Sequence, residues 1–190
     1  MDDRITQCDK IIEDLISFTR ISLPSYTAVN LGEVLKTTLG GIDIPNGITV
    51  NNRFGLKPVN VQADSDQLSR VFTNLIVNAN EAMVDGGRWT IAVQKVDPMA
   101  EVTITDTGPG MNSQELEKIF EPLYTTKIQG TGLGLAVCQQ VLTKHNGRLD
   151  VHSKAEAGTT FTVRLQLTME EPIPADHASE AVASTTGWPE

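Results

Sequence analysis

The stretch from Asp64 to about Met83 constrains the fold more than any other part of the chain. On a helical wheel turning about 100 degrees per residue, Leu68, Phe72, Leu75, Ala79 and Met83 group on one side. Asn78 and Glu81 fall within about 40 degrees of Asn74 on the other side, with Arg70 beside them. A helix of this kind lays its apolar face on a core. It then holds two amides, a carboxylate and a guanidinium in one polar column. Asp64 reads as its N-cap, and Asp85-Gly86-Gly87 as its break.

The rest of the chain supplies that core with strands. Ile48 to Phe54 and Val59 to Gln62 read as strands joined by a turn at Gly55 to Pro58, and residues 31 to 40 as a short helix ended by Gly40-Gly41. Trp89 to Val96 and Glu101 to Thr105 read as adjacent strands across Asp97-Pro98. Ser113 is placed as the cap of a short helix through Phe120, followed by a polar loop over residues 121 to 131. A helix from Gly132 to Lys144 ends at Asn146-Gly147, and Leu149 to Ser153 and Thr160 to Leu167 close the core as strands. The pattern predicts an α+β fold, one layer of mixed sheet against one layer of helices.

Charge and composition exclude several function classes. The chain has 190 residues, 39% of them hydrophobic, and a formal charge of -9. Binding to duplex nucleic acid or to an anionic membrane surface rests on clustered Lys and Arg, which an acidic chain does not supply. No apolar run reaches the ~18 residues of a membrane span. The acidic opening Met1-Asp2-Asp3 does not read as the basic start of a signal peptide. Cys8 and Cys138 lie in helical patterns outside any CxxC pair, so both are expected as reduced thiols in the cytoplasm.

Three segments carry chemistry. In the polar column, asparagine is a poor helix former. Two of them one turn apart therefore suggest carboxamide oxygens wanted at fixed positions. Mg2+ takes oxygen ligands, few of them from protein where phosphates supply the others. A solvated helix face is the plainer reading of the same residues. The strand Val102 to Thr105 delivers Asp106 to a sharp turn made by Gly108 and Gly110. A carboxylate there can accept from an exocyclic amine such as adenine N6, whereas guanine would oppose it with a carbonyl oxygen. A simple Asp-Gly turn accounts for the residues too. A calcium loop does not, because glycines stand where an EF-hand needs oxygen ligands. Finally, Gly130-Thr131-Gly132-Leu133-Gly134-Leu135 leads into a helix. Exposed amides at a helix start form an anion site. The spacing is neither a Walker A loop nor a dinucleotide fingerprint, and alone it reads equally as a flexible loop.

In order, these pieces resemble the histidine-kinase-like ATPase family. Its N box is similar to Asn74-Leu75-Ile76-Val77-Asn78-Ala79-Asn80-Glu81-Ala82-Met83, and its first glycine box to Asp106-Thr107-Gly108-Pro109-Gly110-Met111. Its F box is similar to Ile119-Phe120-Glu121-Pro122-Leu123-Tyr124-Thr125-Thr126-Lys127. Its second glycine box resembles Gly130 to Leu135, and a last box Gly158-Thr159-Thr160-Phe161. The matches span roughly residues 30 to 167. The resemblance implies a two-layer α/β sandwich of the Bergerat type, with ATP under a mobile lid. It implies Asp106 on adenine, Asn78 on Mg2+, amides of Gly132, Leu133, Gly134 and Leu135 on the phosphates, and Lys127 near the terminal phosphate. Further ATP contacts are expected at Glu81, Gly108, Gly110, Met111, Phe120, Thr126, Gly130, Thr131 and Thr160, with Phe120 tying lid to core. Asn74, Asn78 and Lys127 are the candidate catalytic residues. In the ATP-hydrolysing relatives, the position of Asn74 is a glutamate that activates water. A site without that base holds the terminal phosphate for another acceptor, which favours a kinase.

Residues 3 to 20 read as an amphipathic helix, with Ile5, Ile12, Leu15, Ile16 and Thr19 at helical spacing, stopped by Pro24. Its end resembles the second dimerisation helix of histidine kinases. The expected division is a dimerisation remnant and linker over 1–24, a catalytic domain over 25–169 and a disordered acidic tail over 170–190. The tail carries four Glu and one Asp with no Lys or Arg. The resemblance implies two-component signalling: transfer to a histidine on a dimerisation domain outside the sequence, a downstream response-regulator receiver domain, and homodimerisation through the first helix. His145 is expected to serve structurally at a helix end. The competing class is a nucleotide-binding regulatory module, either a degenerate kinase or an anti-sigma-like serine kinase.

Overall fold

A computed structural model describes residues 15–16, 22–55, 57–127 and 130–168 of the chain. Of the helix expected over residues 3 to 20, Leu15 and Ile16 are helical and the rest lies outside the described residues, as does the acidic tail. The element order is β1 (Thr27–Asn30), α1 (Leu31–Gly40), β2 (Ile48–Phe54), β3 (Asn60–Ala63), α2 (Ser65–Ala82), β4 (Gly87–Val96), β5 (Met99–Asp106), α3 (Ser113–Lys118), α4 (Gly134–Lys144), β6 (Arg148–Ser153) and β7 (Thr159–Gln166).

Five strands form the main sheet in the order β2-β4-β5-β7-β6. Only β2 and β4 run parallel; the other neighbours are antiparallel. β1 and β3 form a separate antiparallel pair. The turn at Gly55 to Pro58 therefore joins strands of two different sheets rather than a hairpin. β1 escapes the sequence pattern because its four residues show no clear alternation. It is a strand because β3 gives it a partner, and its burial is confined to Val29.

Period-two alternation decides the faces of the sheet. On β5, Ala100, Val102, Ile104 and Asp106 point inward; on β7, Thr159, Phe161, Val163 and Leu165 do so. The alternate residues point outward, where Arg164 binds both Glu101 and Asp150. The inward face meets α2 and α4, and α1 packs against α2 and β1. α2 contributes Leu68, Val71, Phe72, Leu75, Ile76 and Ala79, all buried. Each such large side chain removed from water is worth about 1.5–3 kcal/mol.

The ends of α2 are fixed by local chemistry. Asp64 Oδ1 accepts from the Asp66 and Gln67 amides at 3.1 Å, a side-chain N-cap, and Oδ2 accepts from Ser25 N at 2.9 Å. At the other end Gly86 takes φ +88, where a Cβ would lie 2.8 Å from Gly47 O. Only glycine fits there. The short helix α3 is capped by Asn112 rather than Ser113. Asn112 and Glu115 bond each other's backbone amides in a reciprocal capping box.

Candidate functional site

The polar face of α2 is one wall of a cavity of about 610 Å³ between that helix, the end of β5, the α3 segment and the start of α4. Asn74, Asn78 and Glu81 line it from α2, and Asp106, Gly110 and Met111 from the β5 turn. Thr126 and Lys127 line it from the loop after α3, and Gly130, Thr131, Gly132, Gly134 and Leu135 from the glycine segment. Gly108, Phe120, Leu133 and Thr160 are not among the lining residues. Leu133 is buried, and Phe120 packs against the core. The volume falls within the range of small-molecule pockets, ~300–1,000 Å³.

Asp106 is buried at the inner end, with 5% of its surface exposed. Its Oδ1 accepts from Gly108 N at 2.9 Å and Thr159 N at 3.2 Å. Oδ2 is the oxygen left for a ligand. Burial pushes its carboxyl above the ordinary 3.8, against the pull of the Gly108 and Thr159 amides and the Lys127 ammonium. The glycines here are sterically required. A Cβ on Gly108 would lie 2.9 Å from Asp106 Oδ1. On Gly110, at φ +67, it would lie 2.0 Å from Lys154 O.

The cavity also meets the first turn of α4. That turn has no side-chain cap, since Leu133 stands at the N-cap position. The first amides of an uncapped helix have no intrahelical partners and carry the positive end of its dipole. Gly132 turns the chain at φ +68, where a Cβ would lie 2.4 Å from Leu123 C. Oriented amides facing a cavity can hold phosphate oxygens.

The middle of the cavity holds the charges. Lys127 Nζ donates to Glu81 Oε2 at 2.6 Å and to Asn78 Oδ1 at 3.1 Å. The Asn78 oxygen is thus already turned toward a cation. Asn74 Nδ2 donates to Gly134 O at 3.4 Å, joining α2 to the glycine segment. Among the described residues no group of three or more His, Cys, Asp or Glu is placed to hold a metal ion. A cation on Asn78 would therefore take most of its oxygens from a phosphate ligand.

Sequence reasoning missed Thr159 as a polar lining residue and did not foresee the structural bond of Asn80. Thr159 lines the cavity, while its neighbour Thr160 turns to the outer face of the sheet and bonds Thr105 at 3.0 Å. The strand period decides between two adjacent threonines, and the inward set Phe161, Val163 and Leu165 carried that signal. Asn80, one residue off the polar column, is buried and accepts from Trp89 Nε1 at 2.9 Å. Its role is structural.

Other polar features lie away from the cavity. His145 is buried at the end of α4, with Nδ1 2.8 Å from Val141 O and Nε2 accepting from Asp64 N at 3.0 Å. Cys138 is a buried free thiol pushed up to about 12 by burial. Among the described residues no helix is long and apolar enough to cross a membrane.

A model of the family described as histidine kinase-, DNA gyrase B-, and HSP90-like ATPase matches residues 63–169, which includes every wall of this cavity. The chain belongs to that family. Within this ATPase family it is similar to Sporulation kinase C of Bacillus subtilis (strain 168), 34% identical over 167 residues, covering 86% of this chain and 39% of that kinase. It is similar to the sensor histidine kinase ZraS of Klebsiella oxytoca, 34% identical over 161 residues, covering 83% and 35% of the two chains. The solved structure of the mycobacterial sensor histidine kinase MprB superposes with a TM-score of 0.68 at 32% identity, covering 75% of this chain and 97% of that one. The chain spans less than half the length of the two curated relatives.

Proposed function

We propose that the chain binds Mg2+-ATP in this cavity and passes the terminal phosphate to a histidine on a separate dimerisation domain. The phosphate then moves to a response-regulator receiver domain, as part of two-component signalling. The observation that carries the reading is the meeting of the Asn74–Asn78 column, Asp106 and the uncapped start of α4 around one cavity. Each is weak alone, and together they offer an acceptor for the base at Asp106 and, from the Asn74–Asn78 column and the α4 start, groups suited to the metal-bound triphosphate.

In this reading Asp106 receives the adenine amine, and the glycine turn lets a flat base approach the backbone. The amides of Gly132 to Leu135 hold phosphate oxygens against the α4 dipole. Bound Mg2+ supplies charge neutralisation on the phosphates. Asn78 provides a neutral oxygen toward it, and Lys127 leaves Glu81 to meet the terminal phosphate. Asn74 lacks the basicity to activate water, so the site retains the phosphate for an incoming nucleophile. Ile119 and Tyr124 line the cavity on that side.

The test mixes the chain with Mg2+ and ATP labelled in its terminal phosphate, with and without a separate histidine-bearing dimerisation domain. Acid-labile label arriving on that domain supports the proposal. Label released as free phosphate at the same rate with or without the domain contradicts it. Acid-stable label on serine favours the anti-sigma-like reading instead.

A further inference from the structure

We infer that Ser153, which does not line the cavity, sets the hydroxyl direction of Thr159 and thereby sharpens, about tenfold, the preference of the base end of the site for an amino-bearing purine over its carbonyl counterpart. The inference rests on the proposed placement of a nucleotide base at Asp106. It concerns how that end reads the exocyclic group.

Three contacts meet at Ser153 Oγ. It accepts from Met111 N at 2.9 Å, donates to Gly158 O at 2.9 Å, and lies 2.9 Å from Thr159 Oγ1. A serine hydroxyl carries one hydrogen. The Gly158 carbonyl can only accept, so that hydrogen is committed to it. All three contacts are then satisfied in one arrangement alone, with the Thr159 hydroxyl donating to Ser153. Thr159, which lines the cavity, then keeps only lone pairs on its hydroxyl oxygen for any ligand that reaches it. Its backbone amide is committed as well, to Asp106 Oδ1.

The two polar side chains at this end therefore both present acceptors: the free carboxylate oxygen of Asp106 and the oxygen of Thr159. Both residues are buried, with 5% and 7% of their surfaces exposed, so solvent does little to soften a mismatch. An exocyclic amine is satisfied there. A carbonyl oxygen placed against either of these acceptors has no hydrogen between the two oxygens. A threonine free to rotate could turn its hydrogen toward that carbonyl; Ser153 prevents this. Ser153 is thus a positioning residue, tied to the nucleotide turn through Met111 and to β7 through Gly158.

The experiment is calorimetric titration of the full chain with Mg2+-ATP and with Mg2+-ITP, whose base carries a carbonyl in place of the amine and a hydrogen on the neighbouring N1; that second difference is common to every variant, so only the change in the ratio between variants is read. Wild type, Ser153→Ala, Thr159→Val and the double variant are compared. The quantity read is the ratio of the ITP to the ATP dissociation constant. Ser153→Ala frees the Thr159 hydrogen, and the ratio falls about tenfold, the effect of one mismatched hydrogen bond. Thr159→Val removes the acceptor and lowers the ratio similarly, and the double variant falls no further than Thr159→Val alone. A purely structural role for Ser153 lowers both affinities together and leaves the ratio unchanged, which overturns the inference. An unchanged ratio in Thr159→Val overturns it too, even if Ser153→Ala fails to fold. If wild type binds neither nucleotide, the proposed function itself fails. If wild type binds ATP and the variants keep its ratio, only the Ser153 inference falls.

Discussion

Replacing Asp106 by Asn separates the binding role of this carboxylate from its place in the fold. Asn keeps an oxygen to accept from Gly108 N and Thr159 N, the two bonds that fix the turn in the apo protein. It also removes a charge whose burial is unfavourable. The variant should therefore fold, with a melting temperature at or above that of wild type near neutral pH. Binding is affected differently. The free carboxylate oxygen becomes an NH2 group, which cannot accept from an adenine amine and opposes it donor to donor. The loss is that of a charge-assisted hydrogen bond, about 1.5–3 kcal/mol. It corresponds to a rise of roughly 10- to 150-fold in the ATP dissociation constant. ITP, whose carbonyl can accept from the new NH2 group, should lose less or gain. Calorimetric titration with both nucleotides, beside a thermal melt of the apo protein, measures all three quantities. Unchanged ATP affinity, or equal losses for ATP and ITP, would refute the assignment of Asp106 to the base.

Four further outcomes follow from particular contacts. Asn78→Asp places a second carboxylate beside Glu81 and toward the Lys127 ammonium; it should disturb Mg2+-dependent phosphate transfer more than nucleotide binding without Mg2+, and equal losses in both would count against Asn78 as a metal ligand. Asn80→Ala leaves Trp89 Nε1 buried without an acceptor, costing about 1–3 kcal/mol by denaturant titration, with any change in nucleotide affinity secondary to that loss. The pH dependence has two opposing signs. Asp106 titrates above 3.8 when folded, so its penalty is present above the raised value and relieved as pH falls through it, and the wild-type melting temperature should gain on that of Asp106→Asn over this range while ATP affinity declines. Glu101 is held below 4.5, chiefly by its bond from Arg164, so its contribution is full above 4.5 and lost as pH falls through the lowered value; Glu101→Gln should flatten that part of the acid melting profile.

The sequence made the long helix α2 legible because one strong periodicity, an N-cap and a glycine break agree within a few residues. The strands of the main sheet were legible for the same reason, since Trp89 to Val96 and Val102 to Thr105 are rich in β-branched and aromatic residues. What escaped depends on partners distant in sequence. β1 exists through its pairing with β3, and the Ile48 to Phe54 strand joins β4 in parallel rather than its neighbour in the chain. A turn motif shows where the chain reverses but does not show which sheet the next strand enters.

The candidate site was readable to the same degree. Asn74, Asn78, Asp106 and Gly132 carry residue types and spacings that mean something before folding, and the cavity brings them together. Thr159 and Ser153 carry no such mark. Two adjacent threonines look alike in sequence, and only the inward phase of β7 separates them. Ser153 acts through a bond across β6 and β7 that no local pattern announces. Asn80 is the converse case, since its resemblance to the polar column hides a structural bond to Trp89.

The account stands or falls on whether one nucleotide touches all three walls at once. Hydrogen exchange of the full chain, with and without a saturating Mg2+-bound non-hydrolysable ATP analogue, reads this directly. Protection is predicted together in residues 74–81, 106–111 and 130–137, while the outward face of the sheet around Glu101 and Arg164 stays unchanged. Protection confined to a single one of these segments, or centred on that outer face, would contradict it.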